Sequence, residues 1–224
     1  MIQPQTLTFL RGIKKHNDKE WFEYHKDDYK AAQAHMKELL FELASEIAKF
    51  DPKVKRALKE DGSVVKTFRI YRDVRFSKDK TKYKTNLSGF VAADLKDPTE
   101  PVYYLSIEPG GKSFFGGGLH MPERLLLGDV RDYIVEHPKQ LAKVEADKDF
   151  KKQFPNILSR DRALKTVPRG YDIEHEAVHY LQLQSYIAGK NVPDTMLKNK
   201  KLVQEISQSA KALYPLINFI RKAT

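Results

Sequence analysis

The spacing of apolar residues changes twice along this chain, and that double change limits the fold more than any other feature of the sequence. Between Asn17 and Phe50, the residues Phe22, Tyr29, Met36, Leu40, Leu43, Ile47 and Phe50 recur at spacings of three, four or seven. That spacing is one face of a long amphipathic helix. Asn17 reads as its N-cap, Glu20 stands in the capping-box position, and Pro52 closes it. The middle of the chain then switches to alternation. VVKTFRIYR, LSGFVAADL, PVYYLSIEP and KSFFGGG are rich in β-branched and aromatic residues, which predicts about four strands. Pro109, Gly110 and Gly111 supply a tight turn between the last two. Helical spacing returns at the end, where Leu202, Ile206, Ala210, Leu213, Ile217 and Ile220 form one stripe.

Helices flanking an alternating middle predict an α+β fold. Its centre is a mainly antiparallel sheet of about four or more strands, packed by N-terminal and C-terminal helices. Shorter helices are expected over residues 5–15, from Pro122 to about 136, from Pro138, and from an Asp172 cap to near Gly189. Residues 155–172 read as an irregular connector with a short strand. A chain of 224 residues without internal repeats reads as a single domain, 1–224.

Composition narrows the function classes. There is no cysteine, which excludes disulfides, thiolate metal sites and a cysteine nucleophile. No stretch approaches the roughly 18 apolar residues of a membrane span, and the first residues lack the pattern of a signal peptide. The expectation is a cytoplasmic protein outside the membrane. The net charge of +10 fits three partner classes: nucleic acid, an acidic lipid surface, or a phosphorylated or carboxylated small molecule. Most of the lysines are interspersed with acids, so part of this charge is simply a solvated face.

The densest basic stretch is residues 69–85, RIYRDVRFSKDKTKYKT. If residues 65–76 are extended, Phe68, Ile70, Val74 and Phe76 point one way together with Arg72. Arg69, Tyr71, Asp73 and Arg75 point the other. A charged strand face must be solvated, ion-paired or part of a site, because an unpaired buried charge is costly. Arginine suits bidentate contact with carboxylate or phosphate. The candidate anion-binding residues are therefore Arg69, Arg72, Arg75, Lys78, Lys80 and Lys84. Tyr71, Asp73 and Tyr83 are the candidates for proton transfer. The same segment can instead brace a loop by pairing Asp73 and Asp79 with its cations.

Two other strings carry chemistry. His120, after Gly116, Gly117 and Gly118, is a candidate general base, while the glycines permit close backbone approach. HEAVH places His175 and His179 at the H-E-x-x-H spacing, which on a helix brings two imidazoles to one zinc ion with Glu176 as base.

Four strings taken in order carry a resemblance: Glu20-Trp21-Phe22; RIYRDVRFSKDK with Tyr83-Lys84-Thr85; Tyr104 to Gly110 leading into Phe115-Gly116-Gly117-Gly118; and Pro168-Arg169-Gly170-Tyr171-Asp172. With these the chain resembles the bacterial and fungal family called Domain of Unknown Function 2461, from about residue 6 to 219. The resemblance implies a single soluble domain. It supplies no activity, substrate or cofactor, so no catalytic residue is carried over. Lys82 stands where family members often have proline, and a second histidine at His179 is not part of the pattern. The resemblance groups the basic segment as one unit, with Arg169 and Tyr171 as neighbours.

Four functions follow as expectations: a binding module or enzyme for an anionic small molecule at residues 69–85; a ligand-free structural or protein-interaction module; a nucleic-acid binder that stacks bases on Tyr71, Phe76 and Tyr83; and a zinc hydrolase at His175 and His179. Cofactor and oligomeric state are left open.

Overall fold

A computed structural model of the protein describes residues 1–60, 62–75, 77–155 and 158–224. Phe76, assigned above to a strand face and to base stacking, lies outside the described residues, as do residues 156 and 157 of the connector.

The N-terminal part is helical: α1 (Pro4–Lys15), α2 (Lys19–Tyr24), α3 (Lys26–Ile47) and α4 (Pro52–Glu60). The long helix predicted between Asn17 and Phe50 is thus two, α2 and α3, and Pro52 opens a further one. Its cap is not Asn17. Asp18 caps α2 by accepting from the Trp21 amide at 2.8 Å. Asn17 instead reaches across the fold, donating to the Tyr83 carbonyl at 2.9 Å and accepting from the Tyr83 amide at 3.0 Å. The chain breaks at His25, whose ring stacks on Trp21 at 3.9 Å and bonds the Trp21 carbonyl at 2.9 Å.

The sheet follows: β1 (Val65–Thr67), β2 (Leu87–Val91), β3 (Val102–Ile107), β4 (Ser113–Leu119) and β5 (Tyr186–Val192). Neighbours pair antiparallel in the order β1-β2-β3-β4-β5. Between β4 and β5 lie α5 (Arg124–Glu136), α6 (Pro138–Ala146), α7 (Lys148–Gln153) and the single turn α8 (Val178–Leu181). After β5 come α9 (Asp194–Leu197) and α10 (Leu202–Ala223). The fold is α+β, with helices at both ends of the chain and an antiparallel sheet between them.

Two elements differ from the sequence reading. The first strand stops at Thr67, because its partner β2 begins at Leu87 and the last pairing bond is Phe68 N–H to the Ser88 carbonyl at 2.9 Å. Beyond it the chain folds on itself, with Arg72 N–H to Lys82 O at 2.9 Å, Lys84 N–H to Ile70 O at 2.7 Å, and a bridge between Tyr71 and Tyr83. Of the helix expected from Asp172 to Gly189 only the single turn α8 forms. Residues 171–177 are turns, and Gly189 sits inside β5. The glycine, lysine and asparagine of YIAGKNV mask a strand that a full-length ladder with β4 stabilises.

One face of the sheet is covered. Val65, Val91, Tyr103, Leu105 and Phe115 turn toward α3 and α10, whose stripes Met36-Leu40-Leu43-Ile47 and Ile206-Ala210-Leu213-Ile217 are buried. Gly117 lets α10 come close: a Cβ there would lie 2.8 Å from Leu213 Cδ2. A charged cluster is buried with this core. The Arg221 guanidinium donates to both Asp51 oxygens at 2.9 Å and to Glu100 at 2.6 and 3.0 Å. Tyr103 Oη donates to Asp51 at 3.0 Å. Burial drives the Tyr103 hydroxyl pKa well up, and the Asp51 charge adds to it.

Candidate functional site

Among the described residues the helices that pack on the sheet, α3 and α10, lie on the covered face, and the other face is open. Alternation and register place Lys66, Phe90, Tyr104 and Phe114 on it, from four adjacent strands. Phe68 joins them just past β1. Successive ring centroids lie 5.6 Å (Phe68–Phe90), 6.3 Å (Phe68–Tyr104) and 6.4 Å (Tyr104–Phe114) apart, with planes tilted by 50° to 55°. Together with Val102 and Ile187 they line a cavity of about 670 Å³. Its residues with polar side-chain atoms are Lys84, Asn86, Ser88, Tyr104 and His120. Gly189 shapes one end: a Cβ there would lie 2.0 Å from Phe114 Cζ, so the ring lies over bare backbone.

Lys84 is the cation of this cavity. Its Nζ stands 5.5 Å from the centre of the Phe68 ring, a cation–π distance. Lys84 and Asn86 also line an adjoining polar recess of about 360 Å³, with Lys14, Arg72, Asp79, Thr81 and Thr85. The Asn86 amide is fixed by donating to Ser106 Oγ at 2.7 Å, and the Thr85 hydroxyl by donating to Glu108 at 3.0 Å.

The basic segment divides between bracing and exposure. Arg72 Nη1 donates to Asp79 and Thr81. That contact draws the Asp79 carboxyl down to about 2. Arg75 grips Asp73 at 2.6 and 3.0 Å and holds its carboxyl below the usual range. Lys80 Nζ donates to the Val74 carbonyl at 3.1 Å. Arg69 and Lys78 are exposed. Arg69, Tyr71, Asp73 and Arg75 are exposed and Ile70 is buried, but Phe68, expected on the Ile70 side, is exposed as well. The three arginines nevertheless do not converge on one anion pocket, because two of them serve carboxylates of their own loop.

The proton-transfer candidates are also dispersed. Tyr83 is buried and stacks on Phe22 at 4.2 Å and 19°, and burial raises its hydroxyl pKa. Tyr71 is half exposed, with its ring 5.6 Å from that of Tyr83. Asp73 is engaged by Arg75. The zinc arrangement is not formed. His175 lies in a turn where its Nδ1 accepts from the Ala177 amide at 3.1 Å, and only His179 of the pair is in α8. Without a continuous helix the two imidazoles are not stacked one turn apart. Among the described residues no group of three or more histidines and carboxylates is placed to hold a metal ion. Tyr171 lies against α5, donating to Asp132 at 2.8 Å, and is not a neighbour of the basic segment.

In the sequence Phe90, Tyr104 and Phe114 read only as strand residues, and Ile187 as part of the helix expected to end near Gly189. The alternation of the first three was visible, yet which of the two sheet faces the helices cover depends on contacts distant in sequence. Of the earlier candidates, Lys84 and His120 are the ones that line the cavity.

Among the described residues no helix is long and apolar enough to cross a membrane. A family model described as a conserved hypothetical protein, DUF2461, matches residues 5–219. No curated protein and no solved structure matches the chain. The chain belongs to the DUF2461 family.

Proposed function

We propose that this member of the DUF2461 family binds an anionic small molecule on the open face of its sheet, with an apolar body in the cavity and its charged end at Lys84. The observation that carries the reading is the cavity itself: about 670 Å³, walled by Phe68, Phe90, Tyr104 and Phe114, with a single lysine in its lining. That volume falls within the roughly 300–1,000 Å³ of small-molecule sites, which are apolar with a few placed polar groups. A carboxylate at Lys84 would sit in a partly desolvated place, where an ion pair is stronger than on an open surface. The rest of residues 69–85 supports this end of the cavity by bracing the loop. A cytoplasmic setting fits the absence of cysteine.

The test is calorimetric titration with 1-naphthoate and with its neutral amide. Wild type should bind the acid more tightly, and Lys84→Gln should remove the difference. Ile187→Trp, which fills the cavity, should weaken both. Equal binding of acid and amide by wild type would overturn the role of Lys84, and no binding of either would overturn the site.

A second reading rests on a separate observation. Aromatic rings from adjacent strands share one face of an antiparallel sheet in a protein of net charge +10. Such a face can stack the bases of a single strand. It predicts binding of a short oligothymidylate that weakens steeply with salt. Undetectable binding at low salt removes this reading. Failure of both titrations would leave the ligand-free module.

A further inference from the structure

The apolar cavity does not end at Lys84. Lys84 and Asn86 belong to its lining and equally to that of the polar recess beside it. The charged groups lining that recess are Lys14, Arg72, Lys84 and Asp79, three cations and one carboxylate. The carboxylate is committed to Arg72, yet it does not consume that arginine. Among the described residues the side-chain contacts of Arg72 are made through Nη1, to Asp79 and Thr81. A guanidinium carries five N–H donors, so the contact holds the fork in a fixed orientation and leaves donors over. Lys14 reaches the recess from the last turn of α1, where its Nζ also lies close to the Gly110 backbone. Asn17 is spent on the Tyr83 backbone, and that pair of bonds fixes the wall between α1 and the loop.

The recess therefore holds a net charge of +2 next to a cavity lined by aromatic rings. A carboxylate would neutralise half of this charge. A phosphate monoester carries about −1.5 to −2 at pH 7 and three acceptor oxygens, which matches both the charge and the donors left on Lys14, Lys84 and Arg72. We propose that the ligand is a phosphate monoester with a flat aromatic body, its ring in the aromatic cavity and its phosphate in the recess between Lys14 and Lys84. This inference rests on the binding site proposed above and specifies the class of molecule that fills it.

The test uses four probes on the full chain: 1-naphthyl phosphate, 1-naphthoate, inorganic phosphate and adenosine 5′-monophosphate. Naphthyl phosphate should bind at least about tenfold more tightly than naphthoate, since the extra charge meets two further cations. Lys14→Ala should remove most of that advantage, lowering the affinity for naphthyl phosphate by a larger factor than the affinity for naphthoate. The advantage should also fade as pH falls through the second ionisation of the phosphate near about 6. Inorganic phosphate alone should bind weakly, because it gains nothing from the cavity. Whether adenosine monophosphate or the naphthyl ester binds more tightly reports the spacing between ring and phosphate, and either order supports the class. Equal affinities for naphthoate and naphthyl phosphate, both indifferent to Lys14→Ala, would overturn the phosphate assignment while leaving the cavity site standing. Inorganic phosphate binding as tightly as the ester would overturn the link between recess and cavity. Loss of every aromatic probe would instead remove the cavity site on which the inference rests.

Discussion

Replacing Arg221 with methionine removes the cation that pairs with Asp51 and Glu100 in a buried cluster, and the structure sets the size of the loss. The side chains of Arg221, Asp51 and Glu100 are 4%, 0% and 6% exposed, so none of them can turn to water. Arg221 makes four hydrogen bonds, two to each carboxylate. Without it Asp51 keeps Tyr103 Oη and the amides of Lys53 and Val54, which it caps at the start of α4. Among the described residues the Glu100 carboxylate keeps the Ala93 amide, at 3.2 Å. Two carboxylates are left buried without a counter-charge, a situation that costs about 3–5 kcal/mol. Against a total stability of about 5–15 kcal/mol this is a large fraction. With a urea slope of about 2 kcal/mol/M, the midpoint should fall by roughly 1.5–2.5 M. Trp21 fluorescence and far-ultraviolet circular dichroism would follow the transition, the first from α2 and the second from the whole chain. The reasoning makes a second demand. Adding Asp51→Asn and Glu100→Gln to Arg221→Met should restore part of the loss, because neutral amides are cheaper to bury than unpaired carboxylates. A loss below about 1 kcal/mol for the single variant, or a triple variant no more stable than the single one, would refute the argument.

Three further outcomes are expected. His35 is buried, bonds Thr6 at 3.0 Å through Nδ1, and has its pKa lowered by burial; the unfolded chain then takes up the proton first, so stability is full above about 6.5 and falls as pH drops below it, a slope that His35→Gln should flatten in urea titrations between pH 5 and 7. Gly189→Ala should push the Phe114 ring from its place and weaken naphthoate binding severalfold, with a change in stability below about 1 kcal/mol, because a terminal ring edge can rotate away; calorimetry and thermal melts check the two halves. Arg72→Ala should raise hydrogen exchange across residues 69–85 while costing less than about 1 kcal/mol globally, since Asp79 lies at the surface; global unfolding would contradict a brace confined to the loop.

Much of this architecture can be traced to local pattern. Met36, Leu40, Leu43 and Ile47 were legible as a buried stripe because helical spacing repeats within a few residues, and all four are buried. The turn at Gly110 and Gly111 was legible because positive φ favours glycine, and both have it, at 96° and 73°. The site was less legible. The charge of residues 69–85 drew attention to Arg72 and Arg75, whose carboxylate partners lie on the same loop, and away from Phe90, Tyr104 and Phe114, which look like any strand residue.

Sequence alone determined the succession of N-terminal helices, about four antiparallel strands and C-terminal helices, and the family. These depend on spacings shorter than a hairpin. Tertiary structure alone decided which face of the sheet α3 and α10 cover, that YIAGKNV becomes β5, and that Asp51, Glu100 and Arg221 meet across separations of up to 170 residues. It also divided the cations of the basic segment, tying Arg72 and Arg75 to carboxylates and leaving Lys84 beside an open aromatic face. Burial and pairing are properties of the packed chain, and no spacing rule along the sequence encodes which surface remains uncovered.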